Sequence, residues 1–503
     1  MNMTKPTEKL FLSFSKTGND GKALRPSYLI GTCKKLFPSI KKEKMQNKTA
    51  EEQLATRRDS ADVLVSGMRK FADHVLNKEE EQRFLTLFTL FLEDENWKNI
   101  MDEVTDTAFL SYKVKPLARA VAKALYGSVL ENSVSRLETY AACAYAHFLK
   151  YGLLLKERGE YSFEAADLGN VYHGVLELFA EKLKAGGYSF LDFPEDVGRQ
   201  YVEEAIEAYV AEYGETILFA NARNTYMISR IRRIMLRTVF SLKEQLKKGL
   251  FTPDQFEMSF SQMEDISSLN IALSEEEKMK LKGRIDRVDT YEEDNSVYVK
   301  VIDYKSGNKQ FDLVALYYGL QLQLVVYLNA AMEQQKKKTP EKEVIPAAIL
   351  YYHVYDPMIT PEKEMTEEEI NAKILASLQM NGVVNEEERI VNMLDRTFET
   401  KSEVIPVERK KDGSFSARSS VMSGEELQAV SDYVNQKIYQ IGTQILHGDI
   451  SVNPYEKGQT DACTYCAYKA VCGFDSKIPG YKKRKLDKMS KDEAMERIIE
   501  ETK

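Results

Sequence analysis

The chain has 503 residues, 43% apolar and 29% charged, the composition of an ordinary globular protein rather than a collagen-like or disordered one. At about 150 residues per domain, its length suggests roughly three domains and more than one large core. With 70 Lys and Arg against 78 Asp and Glu, the net charge of −8 excludes a uniformly basic chain but leaves room for a basic groove. Five cysteines are too few for a disulfide scaffold, and three of them fall within ten residues, which favours a metal site in a reducing compartment.

The start, MNMTKPTEKLFLSFSK, carries lysines and no long apolar run, so no signal peptide is expected. KLFLSFS, Lys9 to Ser15, reads as a buried strand ending in a Gly-Asn-Asp-Gly turn. The first fifty residues hold eleven Lys and Arg against three Asp and Glu. Gly18, Gly21 and Lys22 have the wrong spacing for a phosphate loop, and no other segment supplies one, so no ATP site is expected. Residues 51–125 read as mostly helical, with apolar side chains at spacings of three and four, as in Phe84, Leu85, Leu87, Phe88, Leu90, Phe91 and Leu92. A Ser cap opens a helix at SVSRLETYAACAYAHFLKYGL, from Ser133, and a second helix surrounds LGNVYHGVLELFAEKL. Residues 199–248 read as one or two long helices, and Arg223 to Lys248 holds eight Lys and Arg against the single Glu244. FEMSF, KLKGRIDRVDTY and SVYVKVIDYKSG follow as strands, then a helix over 312–335, then the strand VIPAAILYYHVYD. Leu313 to Met332 lacks formal charge, but Gly319, Gln321, Gln323 and Asn329 make it a soluble helix rather than a membrane span. Helix, antiparallel strands, helix, strand is the order of an α/β core with a β-meander in its first half. The segment 361–400 reads as charged, helical and peripheral, and 481–503 as a basic run followed by an amphipathic helix.

Asp303-Tyr304-Lys305 closes the strand VYVKVIDYKSG. Alternate side chains of a strand share a face, so Asp303 and Lys305 point one way and Tyr304 the other, its carbonyl still able to reach the site. Gly307 ends the strand and permits close approach of a substrate backbone. A second strand, GRIDRVD, offers Asp286, which lies beside Asp303 if the two strands pair. Two carboxylates and a carbonyl are hard ligands suited to Mg²⁺, and a neighbouring lysine can orient or deprotonate a water and stabilise charge at phosphorus. Metal-assisted phosphodiester hydrolysis needs that set. Asp-x-Lys alone is more often a surface ion pair, so its company matters. His173 sits in GNVYHG on an upstream helix, and Gln323 and Tyr327, four apart on the following helix, face one side. Cys463, Cys466 and Cys472 gather three thiols in one loop. Three thiolates call for a soft metal, Zn²⁺ or an iron–sulfur cluster, with a fourth ligand from elsewhere; Cys33 and Cys143 are the only other cysteines. Arg230, Arg232, Arg233 and Arg237 lie within eight residues of one helix and are candidates for phosphate contacts with DNA, the plain alternative being a solvated stripe.

SVSRLETYAACAYAHFLKYGL, GNVYHGVLELF, GRIDRVD, VIDYKSG, GLQLQLVVYL, GDISVNPY and CTYCAYKAVCGFD follow one another between Ser133 and Asp475. Together they resemble the RecB-family nuclease domain of the PD-(D/E)XK superfamily, in the form carried by the C-terminal part of the AddB family of bacterial helicase–nuclease subunits. The resemblance implies an α/β fold, a central mixed sheet flanked by helices, over residues 131–480. Residues 1–130 would be a remnant of the family's helicase-like part, strand plus helices, and 481–503 a basic, amphipathic tail. It implies that His173, Asp286, Asp303 and the Tyr304 carbonyl hold Mg²⁺, that Lys305 is the catalytic lysine, and that Gln323 and Tyr327 lie near the scissile strand. Glu257, in FEMSF, falls where the family often has a further acidic residue. Cys143, Cys463, Cys466 and Cys472 match the ligands of a [4Fe-4S] cluster that staples the ends of the domain, and Cys33 matches none. The function implied is that of a cytoplasmic, Mg²⁺-dependent DNA exonuclease cutting single strands in double-strand-break repair, with DNA and an AddA-like helicase–nuclease subunit as partners and no membrane contact. The alternatives are a non-catalytic DNA-binding scaffold and a stand-alone CRISPR-associated-type iron–sulfur exonuclease. The presence of every motif residue favours an enzyme, and the helical N-terminal part and the long segment 355–450 argue against the compact stand-alone form. AddB chains are much longer, so Chi recognition and ATP binding, which the family places upstream, are not expected of this chain.

Overall fold

The computed structural model describes residues 5–18, 23–41, 54–158, 165–212, 222–262, 266–360 and 365–503. They belong to two compact units, Met1–Leu110 and Ser111–Lys503. In the first, the helices Arg57–Ala72, Lys78–Leu92 and Lys98–Ala108 bury Leu64, Met68, Phe84, Leu87, Phe91 and Met101 among themselves. This is the apolar stripe that their spacing foretells. Asn77 and Glu80 close a capping box at the second of these helices. The segment Lys9–Ser15 departs from expectation. It forms no strand, and Leu10, Phe11 and Leu12 are exposed. An apolar run becomes a strand only where a neighbour completes its ladder, and among the described residues the pairing here is a bridge between Thr17 and Ala23. Residues 19–22, which carry most of the expected turn along with Gly21 and Lys22, lie outside the described residues.

The second unit carries the strands β1 (Val129–Ser133), β2 (Thr252–Ser259), β3 (Asn270–Ala272), β4 (Lys278–Lys282), β5 (Arg284–Glu293) and β6 (Ser296–Lys305). They continue with β7 (Glu343–His353), β8 (Asn381–Asn385), β9 (Val421–Met422), β10 (Tyr455–Lys457), β11 (Thr460–Asp461) and β12 (Arg484–Lys485). The main sheet runs β2-β5-β6-β7-β8-β9, with smaller sheets β1-β4-β3 and β11-β10-β12. β5 is antiparallel to β2 and β6, whereas β6 and β7 are parallel, so the sheet is mixed. β6 is covered on both faces, which explains its nearly unbroken apolar sequence. Val299 and Val301 face one core, shared with the helices Val134–Ala142, Gln323–Lys338, Gly424–Leu446 and Lys491–Thr502. Tyr298, Ile302 and Tyr304 face a second core, shared with Ala165–Ala185, Glu195–Glu212 and Ala222–Lys248. Among the described residues, no helix is long and apolar enough to cross a membrane.

Two local features differ from the sequence expectation. The helix over 312–335 is two helices, Leu313–Tyr317 and Gln323–Lys338, broken at Gly319, whose φ of +77° cannot continue a helix. Residues 361–364 lie outside the described residues; the rest of the segment 361–400 has the expected helices, Glu367–Ser377 and Glu388–Leu394, but it is not peripheral. Its β8 joins the main sheet beside β7, and the helix Glu388–Leu394 buries Ile390, Val391, Met393 and Leu394. Gly382 makes that pairing possible, since a Cβ there would stand 2.1 Å from the Ile349 carbonyl oxygen. The tail 481–503 follows expectation, a basic run and then an amphipathic helix: β12 pairs with β10, and the helix Lys491–Thr502 buries Ala494, Met495 and Ile498.

On the second-core face, β5 and β6 bury charge. Arg287 holds Asp289 through two hydrogen bonds of 2.5 and 2.7 Å, and Lys300 Nζ lies 2.8 Å from Asp289 Oδ2. Burial opposes ionisation of Asp289, but Arg287 and Lys300 outweigh it and hold the carboxyl below its usual range. Asp289→Asn leaves two buried cations without a counter-charge and is expected to cost about 3–5 kcal/mol in urea unfolding. A carboxyl depressed by folding contributes stability above its unfolded value and loses it as pH falls through the folded one. The difference between parent and variant should therefore be flat down to about pH 4 and shrink only in stronger acid. An unchanged unfolding midpoint at neutral pH would contradict this.

Candidate functional site

The register that sets Arg287 opposite Ile302 brings Asp286, one step further, level with Asp303. Asp286 Oδ2 accepts the Tyr304 N–H at 2.7 Å, which ties the strands together beyond their regular ladder. Asp303 and Lys305 share a face of β6 and form an ion pair. Tyr304 turns into the second core, and its carbonyl lies 3.1 Å from His173 Nε2. His173, on the Ala165–Ala185 helix, places Nδ1 3.2 Å from Glu257 Oε1 and 3.4 Å from Asp286 Oδ1. Glu257 sits on β2 with φ +46°, a left-handed conformation that a non-glycine residue keeps only when its surroundings hold it. Arg284 Nη1 helps, 3.3 Å from Glu257 Oε2. Gln323 opens its helix, and its Oε1 accepts from Lys305 Nζ at 3.1 Å while its Nε2 donates to the Tyr327 hydroxyl at 2.7 Å.

The electrostatics are unbalanced at one point. Asp303 is fully buried, and burial first, then the charge of Asp286, push its carboxyl up to about 7 against the pull of Lys305 and His173. Neither Asp303 oxygen accepts a well-formed hydrogen bond. Burial alone would push the His173 imidazole down. Its hydrogen bonds to Asp286 and Glu257, and their charges, prevail and raise it to about 10. Among the described residues, His173, Glu257 and Asp286 are the one set whose ligand atoms all lie within 4.8 Å of one another. An imidazole nitrogen and hard carboxylate oxygens fit a divalent cation such as Mg²⁺; Asp303 stands outside that set, with Oδ2 on Lys305 and Oδ1 without a partner, and a cation would offset its repulsion with Asp286.

A second site lies in the same unit. Cys143, Cys463, Cys466 and Cys472 line one cavity of about 20 Å³ together with Tyr145 and Phe474. Cys143 ends the Val134–Ala142 helix. The other three follow the β10–β11 hairpin, where Asp461 accepts the N–H groups of Cys463 at 3.0 Å and Thr464 at 2.7 Å and so shapes the C-x2-C turn. Lys483 holds Asp461 in place and draws its carboxyl down to about 2. All four thiols are free, and burial pushes that of Cys143 up and that of Cys463 up to about 11. A soft metal binding there would have to displace the protons of Cys143 and Cys463. No three of these sulfurs lie within 4.8 Å of one another. Cys33 lies on the Tyr28–Leu36 helix of the other unit.

The four arginines occupy the Ala222–Lys248 helix, where Arg230 is exposed. Arg232 pairs with Glu203, and Arg233 and Arg237 both hold Asp356, at 2.7 and 2.8 Å. Little in the local pattern announces Glu257, whose place beside His173 depends on β2 pairing with β5. Nothing announces Glu138, a lone acid in a helix, which accepts the N–H groups of Leu322 and Gln323.

Residues 131–473 match the PD-(D/E)XK nuclease superfamily, and the chain belongs to it. Over its whole length it is 40% identical to an AddB-type protein of Lachnoclostridium phytofermentans, described as a subunit of an ATP-dependent helicase/deoxyribonuclease. It is 32% identical, over 97% of its length, to the protein of the same description from Clostridium kluyveri, and 33% identical, over 100%, to that from Clostridium tetani. The chain spans only 43–44% of the length of these relatives.

Asp303→Asn keeps the shape of the side chain and removes a like charge beside Asp286. It should leave the melting temperature in EDTA equal to or above that of the parent, and abolish the stabilisation that Mg²⁺ gives the parent. Scanning fluorimetry with and without Mg²⁺ reads both effects. A variant that melts earlier in EDTA yet keeps the full metal shift would contradict the site.

Proposed function

We propose that the chain is a Mg²⁺-dependent deoxyribonuclease unit that hydrolyses phosphodiester bonds at single-stranded DNA ends. It acts exonucleolytically in double-strand-break repair and recombination, in the cytoplasm, as part of an AddAB-like helicase–nuclease. The observation that carries this reading is the buried Asp286–Asp303 pair, with Lys305 paired to one Asp303 oxygen on the same strand face and the other, Oδ1, without a partner. A divalent ion held by His173, Asp286, Asp303 and the Tyr304 carbonyl, with Glu257 beside them, would activate phosphate and water as a Lewis acid. Lys305, fixed between Asp303 and Gln323, directs its ammonium toward the phosphate oxygens, whose charge grows in the transition state. Tyr327 fixes the Gln323 amide so that its oxygen, not its nitrogen, faces Lys305. The relatives' description as one subunit of a helicase/deoxyribonuclease supports DNA as substrate and an AddA-like protein as partner.

The cysteine cavity is assigned to a [4Fe-4S] cluster. A group joining Cys143 to Cys463 closes a loop of about 320 residues, worth about 5–6 kcal/mol in the chain-entropy model. That is comparable to the net stability of a domain, so the cluster serves as a staple.

Anaerobically purified chain should cleave single-stranded DNA with Mg²⁺, and lose cleavage in EDTA and in Lys305→Ala while circular dichroism is unchanged. A parent chain that binds DNA but cuts none with any divalent ion would replace the nuclease by a DNA-binding scaffold. The same protein should be brown and contain iron and acid-labile sulfide in equal amounts, whereas Cys143→Ala should lose both, melt earlier and become protease-sensitive near its C-terminus. Colourless protein holding zinc would overturn the cluster, and full metal content in Cys143→Ala would remove Cys143 from the ligands.

A further inference from the structure

The Gln323–Lys338 helix begins without a cap of its own, because Leu322, at its N-cap, has no side-chain acceptor for the first amides. Glu138, 184 residues earlier on the Val134–Ala142 helix, fills that role. One of its carboxylate oxygens accepts the Leu322 N–H at 2.8 Å and the Gln323 N–H at 3.3 Å. Hydrogen bonds to a carboxylate are the stronger kind, and the helix N-terminus adds partial positive charge, so the anchor is firm. The residue anchored is the one whose side chain accepts from Lys305 Nζ at 3.1 Å. Lys305 in turn pairs with Asp303. Contacts therefore run from Glu138 through Gln323 and Lys305 to the centre of the site. Lys305 and Lys309 both sit over the Tyr351 ring, 5.7 and 5.5 Å from its centroid. Burial pushes the Glu138 carboxyl up, while Lys309, the two amides and Lys305 favour its ionised form. The helix that carries Glu138 ends at Cys143, five residues on and about 7.5 Å along its axis. The part of the fold that lines the cysteine cavity thus also bears on the helix that holds Gln323.

We propose that Glu138 is a positioning residue for cleavage. Its carboxylate sets the first turn of the Gln323 helix and, through Gln323, holds Lys305 where the phosphate meets it. The inference rests on the nuclease reading above and adds to it a residue that touches neither metal nor substrate.

The test compares Glu138→Ala, Glu138→Gln and Gln323→Ala, and combines the first with the last, all in the full chain. Glu138→Ala should lower kcat on single-stranded DNA with Mg²⁺ by about ten- to a hundredfold and leave KM nearly unchanged. It should also speed hydrogen exchange at the Leu322 and Gln323 amides. Glu138→Gln, whose amide oxygen still accepts both N–H groups, should recover most of the rate, which a purely electrostatic role would not allow. Glu138→Ala combined with Gln323→Ala should lose no more than Gln323→Ala alone, because both act on Lys305 through one contact. If Glu138→Ala does not fold, Glu138→Asp, one methylene too short to reach, should show the same loss of kcat. Parent-like rates in Glu138→Ala, unchanged exchange at the two amides, or additive losses in the combined variant would each overturn the assignment. A parent chain that cuts no DNA would instead defeat the nuclease reading, and the exchange at Leu322 and Gln323 would still decide whether Glu138 caps the helix.

Discussion

The register between β5 and β6 forces two carboxylates, Asp286 and Asp303, together in a buried place where neither like charge nor loss of water favours them. A slip of one residue would turn Asp286 to the opposite face and bring Arg287 into its place. The other face of the same two strands guards against that slip. Asp289, held by Arg287 of its own strand, stands directly opposite Lys300, so any other register would leave Lys300 buried without its partner. One face of the ribbon thus holds a satisfied charge cluster and the other an unsatisfied one, and the first fixes the geometry of the second.

The site draws on both layers of helices. His173 comes from the layer over the second core, and Gln323, Tyr327 and Glu138 from the layer over the first. Between them lies the end of β6, whose Tyr304 carbonyl meets His173 and whose Lys305, paired with Asp303, meets Gln323. The cysteine cavity stands at the far end of the Val134–Ala142 helix, tied to the β10–β12 sheet by Asp461 and Lys483. Residues more than three hundred positions apart therefore meet at a helix that also supports the nuclease centre.

Much of the site was legible because its residues obey short-range periodicities. Asp303 and Lys305 are two apart in a strand, Gln323 and Tyr327 four apart in a helix, and the C-x2-C turn is local. What escaped depended on partners far away in sequence. The run Lys9–Ser15 is as apolar as a strand, but apolarity says nothing of whether a ladder partner exists. β8 hides in a charged segment because five residues around a glycine leave no alternating pattern to read. The arginine stripe looked free because the sequence does not show that Glu203 and Asp356 face it. Glu138 looked like any helical acid, since its meaning lies in a helix end 184 residues downstream.

The central claim is that the Asp286–Asp303 pair is left unbalanced for a divalent cation. Anomalous diffraction from crystals soaked in Mn²⁺ tests it most directly. The account predicts a manganese peak in contact with both carboxylates and with His173, and a movement of Lys305 away from the Asp303 oxygen that the metal takes. Strong manganese peaks elsewhere on the chain, with none between Asp286 and Asp303, would contradict it.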